Sequence, residues 1–485
     1  MSRRPFLFPA LLGALLAQGA LAQDFRPVFA SSSQDIPPPT SLGNVNHVHV
    51  LAGVDSDEDG IKEIIYVRVD ANDAEADTDP LTLAIYEATG ADNGYELKYT
   101  DLIHFPHGAL GNFNQYGQML VADLDGQDGA EIWLLAAGPF AKKDNAEVDI
   151  PYNAFVYAST ADDQWGKGQT DAPGEYSQAL LLVSKEHKRP NGAAAADFDG
   201  DRKVELVFGD AETGQVPALS HAGGRFADAT ATLRVESQSL LGEHETGTPY
   251  AIHAVDLNGD GQPEAVLGTH DRAGFVVIEG SGPNSYRAAQ NLTPGLAPFD
   301  YLYKPGALAA GDLDGDGIVS VYGLAGSNAV IYGFTGLSAG SLSSVTPGLR
   351  IVHNQFGTVT TTTASNGDLL SGQSLSISDI DEDGRPELVA AIQRDGEMRS
   401  GGEVVFLEYG GTGSELSPSS FLARRGDLNG VTAPETIFAA TAGTQFGVLD
   451  MDMDGKVEVV IGTAGAQSPA IQVFEAPRAS RQRTR

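Results

Sequence analysis

The chain has 485 residues, 41% of them hydrophobic and 20% charged, a composition typical of globular proteins. Its 65 acidic and 30 basic residues give a formal net charge of −35, which disfavours nucleic acid and anionic membranes as partners because both need a basic surface. Cysteine is absent, so disulfides, thiolate zinc sites and cysteine nucleophiles are excluded.

The N-terminus has the pattern of an export signal. A pair of arginines at positions 3 and 4 precedes a short apolar run, residues 6–16, and an A-x-A tripeptide ends at Ala22. We expect residues 1–22 to be removed and the protein to be secreted or periplasmic; the paired arginines also resemble a twin-arginine export motif. No other run approaches about 18 apolar residues, so no membrane span is expected.

A nine-residue acidic pattern recurs along the rest of the chain at intervals of about 56 to 74 residues. Its consensus is D-x-D-x-D-G-x-x-E, and such periodic recurrence indicates a repeat architecture. The seven copies are DSDEDGIKE from Asp55, DLDGQDGAE from Asp123, DFDGDRKVE from Asp197, DLNGDGQPE from Asp256, DLDGDGIVS from Asp312, DIDEDGRPE from Asp379 and DMDMDGKVE from Asp450.

The spacing of the acids predicts calcium loops. Side-chain oxygens at positions 1, 3 and 5 can turn inward around one ion, glycine at position 6 permits the bend, and carboxylates in this number suit Ca²⁺. We expect up to seven structural Ca²⁺ sites. The candidate ligands are Asp55, Asp57, Asp59, Glu63, Asp123, Asp125, Gln127, Glu131, Asp197, Asp199, Asp201, Glu205, Asp256, Asn258, Asp260, Glu264, Asp312, Asp314, Asp316, Asp379, Asp381, Asp383, Glu387, Asp450, Asp452, Asp454 and Glu458.

The segments beside the loops predict β-strands rather than the helices of an EF-hand. They are short, rich in β-branched residues and punctuated by glycine, and no copy has the acid that an EF-hand needs at position 12. In most units a third strand follows the loop, and four strands in roughly 60 residues is the pattern of a propeller blade. We therefore predict an all-β fold, a seven-bladed β-propeller over residues 43–476.

The repeat units resemble FG-GAP repeats, also called VCBS-type repeats, which form the β-propeller of the integrin α-subunit head. The acidic loops carry this resemblance, together with Tyr116-Gly117, Phe446-Gly447 and the glycine-containing exit at 136–139. The resemblance covers nearly all of the chain after the expected signal. It implies that each loop joins the first and second strands of a blade and binds Ca²⁺.

Four copies depart from the consensus. Gln127 stands at position 5 of the second loop, Arg202 at position 6 of the third and Asn258 at position 3 of the fourth. In the fifth loop, Ser320 stands where glutamate is usual. We expect the first, sixth and seventh loops to be the strongest sites and the second and fifth to be the weakest.

The two ends of the chain suggest how the ring closes. The last unit ends after its third strand, residues 470–476, and a basic tail follows at 477–485. Residues 23–42 form an N-terminal segment, and we hypothesise that its apolar stretch, residues 25–31, supplies the missing outer strand. Closure of this kind would hide strand edges that otherwise template aggregation.

The sequence favours binding over catalysis. The G-x-S-x-G match at 336–340 lacks the strand-turn-helix setting of a nucleophile elbow. Long loops with aromatic residues, 104–117, 138–152 and 297–306, are expected opposite the calcium loops and suit glycan or protein contact. We predict a monomeric binding or adhesion module for a glycan or extracellular protein. A glycan-active enzyme of polysaccharide lyase or sugar dehydratase type and a scaffold subunit of a surface complex are the alternatives.

Overall fold

The structure, a computed structural model, describes most of the chain after the expected signal. The described residues are 23–36, 46–70, 78–106, 118–127, 129–135, 140–143, 146–149, 154–167, 179–180, 190–210, 213–228, 231–241, 249–269, 274–292, 308–324, 331–335, 347–351, 370–380, 384–394, 402–410, 421–428, 437–439, 448–463 and 469–476. The expected signal peptide, the basic tail and the Tyr116-Gly117 and Phe446-Gly447 pairs lie outside the described residues.

The described chain consists of β-strands with one short 3-10 helix, Phe226–Asp228. In chain order the strands are β1 (Gln23–Ala30), β2 (Asn46–Val54), β3 (Glu63–Asp70), β4 (Thr78–Ala88), β5 (Tyr95–Pro106), β6 (Gln118–Ala122), β7 (Glu131–Leu135), β8 (Phe140–Lys143), β9 (Ala146–Asp149), β10 (Ala154–Ala161), β11 (Gln164–Lys167), β12 (Ala179–Leu180), β13 (Pro190–Ala196), β14 (Glu205–Asp210), β15 (Ala218–Gly223), β16 (Thr232–Ser237), β17 (Pro249–Val255), β18 (Glu264–Thr269), β19 (Gly274–Gly282), β20 (Ser285–Leu292), β21 (Leu308–Gly311), β22 (Ser320–Leu324), β23 (Ile331–Thr335), β24 (Pro347–Ile351), β25 (Leu370–Ser378), β26 (Glu387–Arg394), β27 (Gly402–Tyr409), β28 (Phe421–Leu428), β29 (Ile437–Ala439), β30 (Val448–Leu449), β31 (Glu458–Thr463) and β32 (Ile471–Glu475). No helix in this part of the chain has the length and apolar character needed to cross a membrane.

Most strands form antiparallel sheets of about four strands, each built around one acidic loop. We number the repeat units one to seven by their loops. Units one, three, four and five are the sheets β2–β5, β13–β16, β17–β20 and β21–β24, and unit two comprises β6, β7, β10 and β11 with β12 paired to β10. Strand order follows chain order within each of these sheets, so each sheet is a simple up-and-down unit.

Units six and seven lie in one nine-stranded sheet. Strands β25 to β28 run antiparallel, β1 pairs in parallel with β28, and β32 and β31 follow, with both β29 and β30 paired to β31. On its other side β1 pairs antiparallel with β32, with Arg26 opposite Glu475 and Ala30 opposite Gln472. The N-terminal strand therefore lies outside β32, between the strands of units six and seven.

The first strands of the units contact one another in cyclic order. Contacts run from β2 through β6, β13, β17, β21, β25 and β30, and β30 in turn contacts β2. Sheets that radiate from a closed ring of inner strands make a β-propeller. The predicted all-β propeller class is thus confirmed.

The hydrophobic core lies between neighbouring sheets. In β3, Ile64 and Tyr66 pack with Val459 of unit seven, whereas Ile65 and Val67 pack toward unit two. Alternate side chains of a strand point to opposite faces, so a strand covered on both faces is apolar at nearly every position. This explains the continuous apolar runs that follow the acidic loops.

Candidate metal centres

Each acidic loop is the turn between the first two strands of its unit. The first strand ends at the residue before position 1, as at Val54 before Asp55 and at Ala196 before Asp197. The second strand begins at position 9 in all seven copies, at residues 63, 131, 205, 264, 320, 387 and 458. The loops therefore lie at one edge of the propeller, and the connections between second and third strands lie at the opposite edge.

The glutamate at position 9 closes its own loop. It is buried, and its carboxylate accepts a hydrogen bond from the backbone N–H of position 2 in six copies. The N···Oε distances are 2.7 Å for Glu63, 2.9 Å for Glu131, 2.9 Å for Glu205, 2.7 Å for Glu264, 2.8 Å for Glu387 and 2.7 Å for Glu458. In the first loop this N–H is shared by both oxygens of Glu63, at 3.0 and 2.7 Å. In the other five copies the contact uses one glutamate oxygen and leaves the other for a second partner.

The aspartates at positions 1, 3 and 5 also accept hydrogen bonds from loop backbone. In the third loop, Asp197 accepts from the N–H groups of Gly200 and Arg202, and Asp199 accepts from that of Asp201. Arg202 has a φ of 70°, a left-handed conformation that favours glycine, so the loop geometry persists there at some cost in backbone strain. The side chains are thereby held in place before any ion binds.

Among the described residues, carboxylates converge in the third and the first of the predicted loops. In the third loop, one oxygen each of Asp197, Asp199, Asp201 and Glu205 lie within 4.8 Å of one another. The first loop brings Asp55, Asp57 and Glu63 together in the same way.

Several of these buried oxygens have no hydrogen-bond partner. They are Asp55 Oδ1, Asp57 Oδ1, Glu205 Oε1, Asp314 Oδ2, Asp450 Oδ1 and Glu458 Oε1. An unsatisfied buried carboxylate oxygen is costly, and a cation would satisfy it. The residues present therefore fit a hard divalent ion such as Ca²⁺, whose preferred ligands are carboxylate oxygens.

Burial and mutual repulsion shift the titration of these acids. Burial is the larger cause of the raised pKa of the position-9 glutamates, and the adjacent aspartates raise it further. The pKa is raised to about 9 for Glu63, about 8 for Glu131, about 8 for Glu205, about 7 for Glu264 and about 8 for Glu458. A bound cation would reverse this effect because it favours the charged form.

The second and fourth loops replace part of the carboxylate set with amides. Gln127 donates from Nε2 to the carbonyl oxygens of Asp125 and Gly126, at 3.4 and 3.2 Å. Asn258 donates from Nδ2 to Glu264 Oε1 at 2.8 Å, so both oxygens of that glutamate have partners.

The last three loops differ from one another. In the fifth loop, burial and the nearby Asp316 raise the pKa of Asp314 to about 6. In the sixth loop, Asp379 and Glu387 are described, whereas Asp381 and Asp383 lie outside the described residues. In the seventh loop, Lys456 Nζ lies 2.5 Å from Asp454 Oδ2.

The aspartate at position 3 also joins its loop to the next unit. Its Oδ2 accepts a backbone N–H from the connection between the third and fourth strands of that unit. The pairs are Asp57 with Asp163 at 2.8 Å, Asp125 with Phe226 at 2.8 Å, Asp199 with Asn284 at 2.5 Å, and Asp452 with Asn93. The last pair joins unit seven to unit one, so these inter-unit hydrogen bonds include the point where the ring closes.

Asp199→Ala should destabilise the chain more than Asp201→Ala when both are measured in EGTA. Both changes remove one candidate calcium ligand from the third loop, but only Asp199 also holds Asn284 of the next unit. Loss of a buried hydrogen bond to a charged group should cost about 1.5–3 kcal/mol, measurable as a shift in the urea unfolding midpoint. Equal midpoints for the two variants would show that the inter-unit hydrogen bond contributes nothing.

Asn258→Asp should have opposite effects with and without calcium. The aspartate cannot donate to Glu264, so in EGTA it should lower the free energy of unfolding by about 1–3 kcal/mol. With calcium, the added carboxylate should tighten binding at the fourth loop. Urea unfolding in both conditions tests this, and Asn258→Ala, which loses the hydrogen bond without adding charge, should show only the loss. A destabilisation that calcium does not reverse would contradict the expectation.

One part of the chain is recognised by comparison with known protein families. Residues 197–267, which contain the third and fourth acidic loops, match the FG-GAP-like repeat. Among curated protein sequences, none is detectably similar to the chain.

Solved structures show distant similarity over most of the chain. The rhamnogalacturonan lyase YesW is 14% identical with a TM-score of 0.45, covering 94% of this chain and 76% of that one. The Bacillus licheniformis rhamnogalacturonan lyase PL11 is 14% identical with a TM-score of 0.44, covering 94% and 76%. An Agrocybe aegerita lectin specific for non-reducing terminal N-acetylglucosamine is 16% identical with a TM-score of 0.41, covering 83% and 96%.

The assignment of this chain therefore depends on its own repeat and sheets. The family match spans one loop-to-loop interval, and the same acidic pattern recurs in the other units. The sheets around those loops radiate from a closed ring of first strands. The predicted resemblance is confirmed: residues 197–267 match the FG-GAP-like repeat, and the sheets have the arrangement of a β-propeller.

Proposed function

We propose that this chain is an exported, calcium-binding β-propeller of seven blades that acts as a binding module for a glycan or an extracellular protein. The observation that carries the proposed calcium binding is the third loop, where four carboxylates converge and the buried Glu205 Oε1 has no hydrogen-bond partner. The loops form part of the scaffold, since they join the first two strands of each unit and contact the next unit. Calcium in them would be structural.

The count of seven blades is supported by the topology of the nine-stranded sheet. Its strands are antiparallel except at one step, where β1 runs parallel to β28. On one side of that step, the antiparallel strands that carry the sixth acidic loop end at β28. On the other side, the antiparallel strands that carry the seventh acidic loop end at β1. Two blades joined at their outer strands account for this arrangement.

The proposed role in binding a glycan or protein is supported by the edge opposite the calcium loops. There the connection between β7 and β10 of unit two carries an additional hairpin, β8 and β9, with Phe140 paired to Asp149 and Lys143 to Ala146. This hairpin is an addition to the strands that build the unit, and its sequence, FAKK in β8 and AEVD in β9, contains both basic and acidic residues. Of the other predicted binding segments, 104–117 is described only to residue 106 and 297–306 lies outside the described residues.

Two measurements test the proposal. Elemental analysis after dialysis should find several calcium ions per chain, and a chain with none would refute the calcium part. Binding to a panel of immobilised neutral and uronate-containing polysaccharides should be retained by the parent and weakened when residues 140–149 are replaced by a short turn. Formation of unsaturated uronate from a bound polysaccharide would instead identify a lyase, the alternative enzyme.

A further inference from the structure

A second group of carboxylates lies beside the first acidic loop. One oxygen each of Asp57, Asp59 and Glu87 lie within 4.8 Å of one another. Glu87 is outside the nine-residue pattern, in the third strand of unit one, where it pairs in register with Glu63. The sequence motif gives no role to this glutamate.

Glu87 is buried with one oxygen unpaired. Its side chain is 3% exposed, Oε2 lies 2.8 Å from Lys98 Nζ, and Oε1 has no hydrogen-bond partner. Asp57 Oδ1 is likewise buried without a partner. Two unpaired buried carboxylate oxygens in one cluster are costly when ionised, which favours a positive partner beyond Lys98.

Lys98 is already shared between two close acids, and a third, the exposed Glu96, lies 3.9 Å away. Its Nζ also lies 2.8 Å from Oδ2 of Asp163, the residue of unit two whose N–H binds Asp57. Lys98 therefore balances Glu87 and Asp163 with a single positive charge, and the adjacent Asp57 and Asp59 leave an excess of negative charge on the cluster where units one and two meet.

Unit seven shows how the same pair of acids can be neutralised. Its position-5 aspartate, Asp454, and its third-strand glutamate, Glu475, correspond to Asp59 and Glu87. Between them lies Lys456, with Nζ 2.5 Å from Asp454 and 2.7 Å from Glu475. Lys456 is at position 7 of its loop, where the first loop has an uncharged isoleucine, Ile61.

We propose that Asp57, Asp59 and Glu87 bind a second divalent cation of the calcium class, next to the ion of the first loop and sharing Asp57 with it. In unit seven, the ammonium group of Lys456 takes the equivalent place. The inference rests on the proposed calcium loops and adds a ligand from outside their motif. It makes the contact between units one and two dependent on metal.

Trp165 offers a local readout of this site. Its indole Nε1 donates to Ser56 Oγ in the first loop at 2.9 Å, so Tb³⁺ bound there should luminesce when tryptophan is excited. In the full chain, Tb³⁺ titration should show two binding steps in the luminescence. The Trp165→Phe variant should reduce the emission of both steps. Glu87→Gln and Ile61→Lys should each remove one step or weaken it by about tenfold or more, because each removes net negative charge.

The control is Glu96→Gln, which removes a 65% exposed carboxylate 3.9 Å from Lys98. This control should titrate like the parent. A second readout is stability: in EGTA, Ile61→Lys should unfold at a higher temperature than the parent because the lysine replaces the missing cation. If both Glu87→Gln and Ile61→Lys titrate like the parent, the second cation site is overturned, whereas the proposed calcium loops are not. A parent chain with no Tb³⁺ luminescence and no bound metal would overturn the calcium loops as well.

Discussion

Deleting residues 23–36 is expected to remove much of the stability of the chain. β1 lies between β28 and β32, so its loss would expose an edge on each of two strands. Phe29 packs against Tyr86 and Tyr95 of unit one, with ring centroids 5.6 and 5.1 Å apart, and Ile36 is 3% exposed in the same core cluster. Burial of such side chains contributes about 1.5–3 kcal/mol each, so the deletion should cost about 3–6 kcal/mol before the lost strand pairing is counted.

Denaturant unfolding of the deletion variant measures this cost, and two point variants show where it comes from. Phe29→Ala should account for a substantial part of the loss. Arg26→Ala should change stability little, because its 3.2 Å ion pair with Glu475 involves a side chain that is 64% exposed. A synthetic peptide of residues 23–36, added to the deletion variant, should restore its unfolding midpoint. An unchanged midpoint on deletion would contradict the closing role of β1.

Ring closure has further support next to β1. Gly462 in β31 packs so closely on unit one that a Cβ added there would overlap Val48 and Val50 of β2. Asn93 of unit one donates its N–H to Asp452 of the seventh loop. The deletion should therefore leave the contact between units seven and one partly formed, and the variant should be destabilised rather than unable to fold.

The acidic motif was sufficient to predict the architecture around each loop. Because the loop is a tight turn between paired strands, its position 9 begins the second strand, as at Glu63 and Glu205. The apolar runs that follow are buried on both faces, as propeller packing requires. Local sequence determines these features, and local sequence was enough to predict them.

The contacts between units could not be predicted in this way. Asp57 binds a backbone N–H 106 residues further along the chain, and a backbone donor has no side-chain signature. A weak signal existed, since Asn93, Asp163 and Asn284 all have left-handed φ angles, which asparagine and aspartate tolerate better than most residues. That signal predicts a turn, but the fold alone determines which loop the turn meets.

The role of position 9 was also broader than the motif suggested. If Glu131 were only a metal ligand, it would have no role in the metal-free protein. Its carboxylate nevertheless accepts a hydrogen bond from the backbone N–H of Leu124. The available signal was position 2, which is apolar in six of seven copies and buried, as at Leu124 and Phe198. An apolar residue inside an acidic loop indicates that this loop packs into the core.

Removing calcium is expected to destabilise the chain strongly and to make its stability fall as the pH rises. Five buried position-9 glutamates have pKa values raised to between about 7 and about 9 in the metal-free protein, from 4.5. A raised pKa means that the folded state holds the proton more tightly than the unfolded state. The contribution to stability is therefore complete below about pH 4.5 and is lost as the pH rises through the folded values.

The size of this effect can be bounded from below. One unit of raised pKa corresponds to about 1.4 kcal/mol, so a single unit at each of the five glutamates would cost about 7 kcal/mol at alkaline pH. Thermal unfolding in EGTA should therefore show a midpoint that falls steadily between about pH 5 and about pH 9. With saturating calcium the midpoint should be higher and nearly constant, because the ion favours the charged carboxylates.

Glu63→Gln separates this electrostatic cost from the role of the glutamate in closing the loop. Glutamine keeps an oxygen that can accept from Ser56 N–H but carries no charge. In EGTA at about pH 8 the variant should be more stable than the parent, by at least about 1.4 kcal/mol if only one unit of the shift is removed. In calcium it should be less stable, since it lacks a ligand. A variant less stable than the parent in both conditions would mean that the charge of Glu63 is needed by the fold itself, and that calcium is not what balances it.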